Sequence, residues 1–554
     1  MENSGEEIVA DDKAAQSTYG IFHVCGVLAF CENTESIAKC SPLEKWKQRI
    51  PMEMTEARFR QTFEFLKEHH WIHDLHLTKF FESQVWTQIP KEWDRAFTQM
   101  TVEELNKLPF VEAAVGSPHS QSVSSSLHLP DSLQLFLQHS TSLTFERDHV
   151  TGLIKSTPVG KELAKGMSPK KLHEVQWMAS LVHQVAAQAD CDVVVDIGSG
   201  LGYLGQVLHT NYGLKVIGLE GSVGHTERAE KRAAKHGLQC SGMKSVPFEI
   251  RDDEEHITKF CDLIQREAST ITQCKHSCPA DLHMRSPDGG EGHSVSSCTD
   301  EVTITKERET DAVNHSLRVC LIGLHCCGDL TPALLRLFER VEFIRAVCCV
   351  SCCYHKMQLI PGTDQFHNFP MSKAAKDVYT AMQVKSQRTQ EHAPTSFISP
   401  CSLRLAAQET RARWASQTVA DHDVHMKHVA FRALLELYRG DTGSKDRRTV
   451  RRLDYSTVDQ FVDSYVRCPE IPREEQQATK EQLYKLYAQV QPRFHHIEPF
   501  TCLQVILQPV LESLVLLDRQ CWLQENGFHA DIVPIFQEEI SPRNLALVST
   551  KSQN

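Results

Sequence analysis

Two hydrophobic rhythms alternate along this chain. From about residue 43 to 112, apolar positions recur three or four residues apart, as in FRQTFEFLKEHHWIHDLHLTKFFESQVWTQI, which predicts amphipathic helices. Pro90 then opens KEWDRAFTQM, where proline suits the first turn of a further helix. The Ser-rich stretch 116–127 (GSPHSQSVSSSL) breaks the rhythm and reads as a linker. Helical spacing returns over 169–187 (PKKLHEVQWMASLVHQVAA) and leads into CDVVVDIGSG. Positions 192–197 of that run are apolar and β-branched, as a central parallel strand is.

A helix (LGYLGQVLHTNYG), a second strand (LKVIGLE) and another helix (SVGHTERAEKRAAKHG) complete one β-α-β unit and begin the next. That succession predicts an α/β fold with a doubly wound parallel sheet. VPFEIRDD is the candidate third strand. The pattern then fails over 254–315, rich in Ser, Asp, Glu, Lys and Cys, which reads as a partly disordered insertion. It resumes with the strand LRVCLIGLH, the helix TPALLRLFER and the strand FIRAVCCVSCC. Residues 374–495 are mostly helical in pattern (HVAFRALLELY, KEQLYKLYAQV) and form a second insertion.

In the tail, a long apolar helix (FTCLQVILQPVLESLVLLDRQCWLQENG) precedes ADIVPIFQ and NLALVST, which read as two antiparallel strands around EEISPR. A dinucleotide dehydrogenase usually continues instead with another parallel unit. The expected division is a disordered tail (1–18), a helical N-terminal domain (19–115), a linker (116–150) and one α/β domain in three parts (151–253, 316–373 and 496–554). The two insertions, 254–315 and 374–495, separate those parts.

Length agrees with this division, because 554 residues exceed what one core sustains. The net charge of -12 gives no global attraction to nucleic acid or anionic lipid, though it permits a local basic groove. The acidic start, MENSGEEIVADDKAAQ, is unlike a secretory signal, and the apolar stretch 21–31 is about 11 residues against the roughly 20 a spanning helix needs. The expectation is an intracellular protein, cytoplasmic or nuclear, that does not cross a membrane. The 20 cysteines include adjacent pairs (Cys326 with Cys327, Cys348 with Cys349, Cys352 with Cys353), poor disulfide geometry that reads as reduced, buried thiols.

Candidate chemistry gathers where strands end. In VVVDIGSGLGYLG, Asp196 precedes Gly198, Ser199, Gly200 and Gly202 at a strand-to-helix turn. Glycines let the backbone turn sharply and approach a ligand, and the helix N-terminus offers free N–H groups. The spacing Asp-x-Gly-x-Gly-x-Gly points to S-adenosylmethionine, and differs from the Gly-x-Gly-x-x-Gly of nicotinamide sites. Glu220, 24 residues after Asp196, ends the next strand where an acid accepts ribose hydroxyls. Asp252 or Asp253 follows the candidate third strand, within reach of an adenine amino group.

A second cluster, His325 to Asp329, lies at a strand's carboxyl end, where α/β sheets bind ligands. There His325 is a candidate base and Asp329 a candidate cap for the following helix. Tyr354 and His355 follow the cysteine-rich strand. Three readings of that cluster stay open: buried strand thiols beside a site-lining Tyr354 and His355, a metal site with His325, Cys352 or His355, although paired C-x-x-C sets are lacking and no metal is assigned, and a nucleophilic cysteine. The basic residues Arg447, Arg448, Arg451, Arg452, Lys165, Lys170, Lys171, Arg411 and Arg413 are weak candidates for phosphate contacts against solvated surface.

These motifs together resemble the methyltransferase-like protein 25 family. The matching pieces are KKLHEVQWMASLV, VVVDIGSGLGYLG, YGLKVIGLE, VCLIGLHCCGDLTPALLRLF, VSCCYHKM with NFPMS, and LQPVLESLVLLDRQCWLQE, within a match from about residue 55 to the end. The resemblance implies a class I methyltransferase fold: a Rossmann-like doubly wound sheet with a C-terminal antiparallel hairpin, plus a helical N-terminal domain and a helical insertion. It implies S-adenosyl-L-methionine as cofactor, held by Asp196, Gly198, Gly200 and Glu220, with His325, Asp329, Tyr354 and His355 lining the substrate side. The chain departs from the family pattern at 1–42, at 254–315 and at Cys326. The acceptor class stays open between RNA and protein, with RNA favoured by the family's relatives. No Asn-Pro-Pro-Tyr string is present to support adenine dimethylation. The competing readings are a methyltransferase-fold scaffold without turnover and a nicotinamide oxidoreductase.

Overall fold

Five short strands alternate with helices before the chain closes on a hairpin. In the computed structural model, residues 48–111, 128–149, 154, 156–236, 242–271, 316–389, 397–408, 410–440, 447–469 and 471–551 are described. The strands are β1 (Val193–Ile197), β2 (Val216–Glu220), β3 (Met243–Pro247), β4 (Val319–Cys326), β5 (Ile344–Ser351), β6 (His529–Pro534) and β7 (Leu545–Thr550). They form a seven-stranded sheet in the order β3-β2-β1-β4-β5-β7-β6. β1 to β5 run parallel, while β7 lies antiparallel between β5 and β6. This is the class I methyltransferase sheet with its terminal hairpin, and β1 is the point where the winding reverses.

Strand alternation decides which core each side chain joins. Val193, Val195 and Ile197 of β1 face one way, into a core with Phe260, Leu334, Phe338, Leu507 and Leu511. Val194 faces the other way, with Val175, Met178, Val182, Leu204 and Val207. The first face is covered by helices Glu254–Thr270, Leu330–Arg340 and Ile497–Glu525, the second by Pro169–Gln188 and Tyr203–Tyr212.

Several expected boundaries move. The helix Glu254–Thr270 occupies the start of the expected polar insertion, because Ile257, Phe260, Leu263 and Ile264 recur on one face that the sheet buries. The expected linker contains the helix Asp131–Ser142, which buries Leu133, Phe136 and Leu137. The helical run before Pro90 breaks into Met52–Glu68, His70–His73 and two 3-10 turns. β3 begins at Met243, ahead of the segment read as the third strand. The tail 1–18, the apolar stretch 21–31 and residues 272–315 lie outside the described residues.

The helix Ile497–Glu525 ties the molecule together. Its length and apolar composition would suit a membrane span, yet its apolar window is wholly buried within the fold. Its buried polar side chains bind other segments. Gln504 donates to the carbonyls of Ile72 and Leu75, Gln508 to that of Ala406, and Gln520 to those of Gln48 and Ala530. The Asp518 carboxylate accepts from the Met371 and Ser372 amides at 2.8–2.9 Å. The N-terminal helices and the helical insertion therefore share cores instead of standing apart. Phe63 packs on Tyr379 and Phe397, and Phe80 and Phe81 join Phe431, Leu434 and Phe461.

Candidate cofactor and acceptor site

β1 ends in a turn that only glycine makes easily. Gly198, Gly200 and Gly202 all have positive φ, at 68°, 59° and 71°, a region where an L side chain is strained. A Cβ on Gly200 would meet nothing closer than the Gly198 carbonyl at 4.0 Å, so that face of the turn is open. Ser199 points toward the sheet: its Oγ lies 2.9 Å from where a Gly218 Cβ would stand, and it is buried without a hydrogen-bond partner among the described residues.

Two acids flank this turn. Asp196 pairs in register with Gly218 of β2, two residues before Glu220. Asp196 is 2% exposed, and no described residue donates a hydrogen bond to its carboxyl. Burial, reinforced by Glu220 and opposed by Lys171, pushes that carboxyl up to about 7. Glu220 braces the loop. One oxygen accepts the Gly200 amide at 2.9 Å, the other the Ser222 amide at 3.0 Å, and His225 lies 3.5 Å away. Each carboxylate oxygen keeps a lone pair for a further donor. A buried carboxyl lacking a protein donor, beside an open left-handed glycine turn and a braced acid, fits the adenosyl-methionine group that the sequence predicts.

Asp252 goes elsewhere. It forms an ion pair with Arg336, which also donates to Asn368 Oδ1 at 2.7 Å. Asp253 caps the helix that begins at Glu254, accepting the His256 amide at 3.0 Å. Both carboxylates therefore have structural partners.

At the end of β4 the ladder to β5 slips between Leu324 and Cys326, and His325 sits in the slip with φ 66°. A non-glycine residue held there is strained, a condition common at functional positions. Its Nε2 lies 3.0 Å from Glu174 Oε2 on the helix Pro169–Gln188. Burial disfavours the Glu174 charge, but hydrogen bonds from His325 and Ser541 (2.7 Å) outweigh it and hold the carboxyl below its ordinary range. An ionised Glu174 accepts a hydrogen bond from Nε2–H, which keeps the proton on Nε2 and leaves the Nδ1 lone pair free. Ile322 pairs with Asp196 across β1 and β4, so His325 stands three residues further along, on the order of 10 Å.

Two of the four acceptor-side residues have structural partners, and the cap expected of Asp329 is corrected. Asp329 does not cap its helix. It pins the loop after β5, accepting from the Gln358 amide at 2.7 Å and from Asn368 Nδ2 at 2.8 Å. Tyr354 is buried and donates to Glu512 Oε1 at 3.0 Å, inside a network where Glu512 also pairs with Arg147 (2.6 Å) and Arg543 (3.4 Å). Its hydroxyl is a structural donor. His355 remains available. It is half-buried, its Nδ1 has no partner among the described residues, and burial together with Arg404 and Lys356 lowers its basicity.

Sequence reading missed Glu174, whose signal was an acid on the buried face of an otherwise apolar helix. It also missed the meeting of Cys327, Cys352 and Cys353. The expectation of inert buried thiols holds for Cys326, Cys348 and Cys349, pushed up by burial, and for Cys320, pushed up by its hydrogen bond with Cys191 and by burial. Cys327 differs: hydrogen bonding from Cys352 pulls it down to about 5 against its partial burial. Arg411 pairs with Glu538 and Lys165 with Glu162, so neither is a spare cation.

Residues 170–359 match a family model described as a methyltransferase domain, and such a domain implies S-adenosyl-L-methionine as cofactor. The chain is 26% identical over 471 residues to "Probable methyltransferase-like protein 25" of Mus musculus, covering 70% of this chain and 76% of the relative. The Homo sapiens counterpart is 26% identical over 472 residues, covering 70% and 75%. Among solved structures, coclaurine N-methyltransferase bound to N-methylheliamine and SAH aligns over 89% of this chain and 98% of that one. At 8% identity and a TM-score of 0.19, that likeness carries no argument. The chain is thus a methyltransferase-domain protein, similar over most of its length to methyltransferase-like protein 25, as its motifs implied.

Proposed function

We propose that this protein is an S-adenosylmethionine-dependent methyltransferase acting on an anionic acceptor, with RNA favoured over protein. The observation that carries the cofactor half is the Asp196 carboxyl, buried without a protein donor beside three left-handed glycines and the braced Glu220. When bound, the cofactor supplies an electrophilic methyl group. Asp196 and the turn would hold its amino-acid part, and Glu220 its ribose.

The chain's own contribution is positioning and proton removal. Glu174 fixes the tautomer of His325, whose Nδ1 is the candidate acceptor of a proton from the nucleophile. His355, with its unpartnered Nδ1, is the second candidate.

The anionic acceptor is supported by a cavity of about 620 Å³ between the N-terminal helices and the insertion, lined by Arg404, Arg413, Arg432, His425 and His428 among others. Arg404, which lines this cavity, also acts through its charge on His355 after β5. Phosphate groups are the ligands such a lining suits.

Calorimetry with S-adenosylmethionine on the native chain and Asp196→Ala tests the cofactor half, with binding expected only in the native chain. Transfer of a tritiated methyl group to fractionated RNA and protein from cells lacking the enzyme tests the acceptor. Label in RNA is expected. Label in protein alone overturns the acceptor assignment, and cofactor binding with label in neither pool points to a scaffold.

A further inference from the structure

Three thiols from two separate loops meet at the carboxyl edge of β4 and β5. The Sγ atoms of Cys327, Cys352 and Cys353 all lie within 4.8 Å of one another, with Cys327 Sγ 2.9 Å from Cys352 Sγ. Thiolates bound at about 2.3 Å to a tetrahedral zinc ion stand roughly 3.8 Å apart, so small side-chain shifts suffice to reach that spacing. All three cysteines are free, and Cys327 and Cys353 are only half-buried, so the cluster is open to solvent on one side.

The backbone holds the two loops in this arrangement. The Gly328 amide donates to the Cys353 carbonyl at 3.2 Å. A Cβ at Gly328 would stand 2.8 Å from the Lys356 carbonyl oxygen, and the residue has φ 57°, so only glycine lets the loops approach this closely. Asp329 pins the second loop again at Gln358. The remaining strand cysteines point into the two cores and are buried, which sets this trio apart as the one accessible thiol cluster among the described residues.

We propose that Cys327, Cys352 and Cys353 bind a thiophilic divalent cation, zinc, through three thiolates, with the fourth coordination position open toward the acceptor side. Three sulfur ligands select a soft or borderline metal over magnesium or calcium. Three protein ligands and an open fourth place are the arrangement of zinc sites that meet substrate or water. Binding displaces the thiol protons into solvent, so affinity rises with pH. Lys356 lies near Cys327 and Cys353 and offsets the excess negative charge of three thiolates on one divalent ion. The site does not depend on the cofactor assignment.

The test is metal content of the full chain, expressed without a histidine tag and purified anaerobically without chelator. About one zinc per chain is expected by mass spectrometry, and Cys327→Ser or Cys353→Ser should lose at least ten-fold in zinc affinity, while Cys468→Ser keeps it. Cobalt substitution should give the strong sulfur-to-cobalt charge-transfer absorption in the native chain and weaken it in each variant of the trio. Should a serine variant fail to fold, alkylation of the native chain carries the same information: Cys327, Cys352 and Cys353 should be protected while zinc is bound and become alkylated once a chromogenic chelator has withdrawn it, and their equal alkylation before and after chelation overturns the proposal. A native chain that is metal-free, takes up no added zinc and shows no such absorption overturns the proposal, as does a Cys327–Cys352 disulfide in the anaerobic preparation.

Discussion

The two halves of the site are built in different ways. On the cofactor side, the turn is a continuous stretch of sequence, and its geometry follows from three glycines and a strand end. On the acceptor side, each polar group depends on a partner elsewhere in the chain: His325 on Glu174, Tyr354 on Glu512, Cys327 on Cys352. The first half is a local motif and the second a product of packing. A local motif declares itself by spacing, whereas a packed constellation looks in sequence like scattered, ordinary residues.

Disturbing the packed half at its centre should have the largest effect. Glu512 is the common partner of two buried arginines and of Tyr354. Glu512→Ala leaves those cations without a counter-charge and should destabilise the fold by about 3–5 kcal/mol. Chemical denaturation measures this, and a loss under about 1 kcal/mol would show that the network is not the support described here.

Asp196→Asn probes the local half and should weaken S-adenosylmethionine binding about a hundred-fold, near 2.7 kcal/mol, with the fold intact. The sign of the pH dependence follows from the raised acid. A folded value near 7, above the unfolded one, means that the stability Asp196 contributes is present at low pH and is lost as pH rises through 7. Asp196→Asn should therefore melt higher than the native chain at pH 8, with the gap closing toward pH 4. Native affinity for the cationic cofactor should rise with pH up to about 7, by as much as roughly tenfold per unit. A flat profile in calorimetry would remove Asp196 from the cofactor.

Glu174→Gln sharpens the comparison from the acceptor side. It keeps a hydrogen bond to His325 but loses the charge that sets its tautomer, and should lower turnover on the order of ten- to a hundred-fold while leaving cofactor affinity unchanged. An unaltered rate in a single-turnover assay would leave His325 a strained but structural residue. Tyr354→Phe should have the smallest effect, about 1 kcal/mol in stability and no change in turnover beyond the same loss of folded protein. A large catalytic defect there would give Tyr354 a part in turnover beyond its bond to Glu512.

Much of the parallel sheet was legible because its strands are short, mostly apolar runs flanked by segments of helical spacing. The positions of β1, β2, β4, β5 and the closing hairpin all fall where the pattern places them. The helix Glu254–Thr270 was obscured by the polar segment that follows it, although its four apolar positions recur on one face. The partners of Asp252 and Asp329 were not legible for a simpler reason: a carboxylate after a strand has the same local signature whether its partner is a ligand, a helix end or a distant arginine or asparagine.

The sequence by itself determined the fold class, the glycine turn and its two acids, because backbone conformation and strand burial are set by residues within a few positions of one another. Only the tertiary structure decided which polar groups are spent on holding the protein together. It gave Tyr354 to Glu512 and Asp252 to Arg336, left Asp196 without a donor, and brought three cysteines to one point. Hydrogen bonds and ion pairs are contracted across space, and chain order does not record who will be near whom once the core has closed.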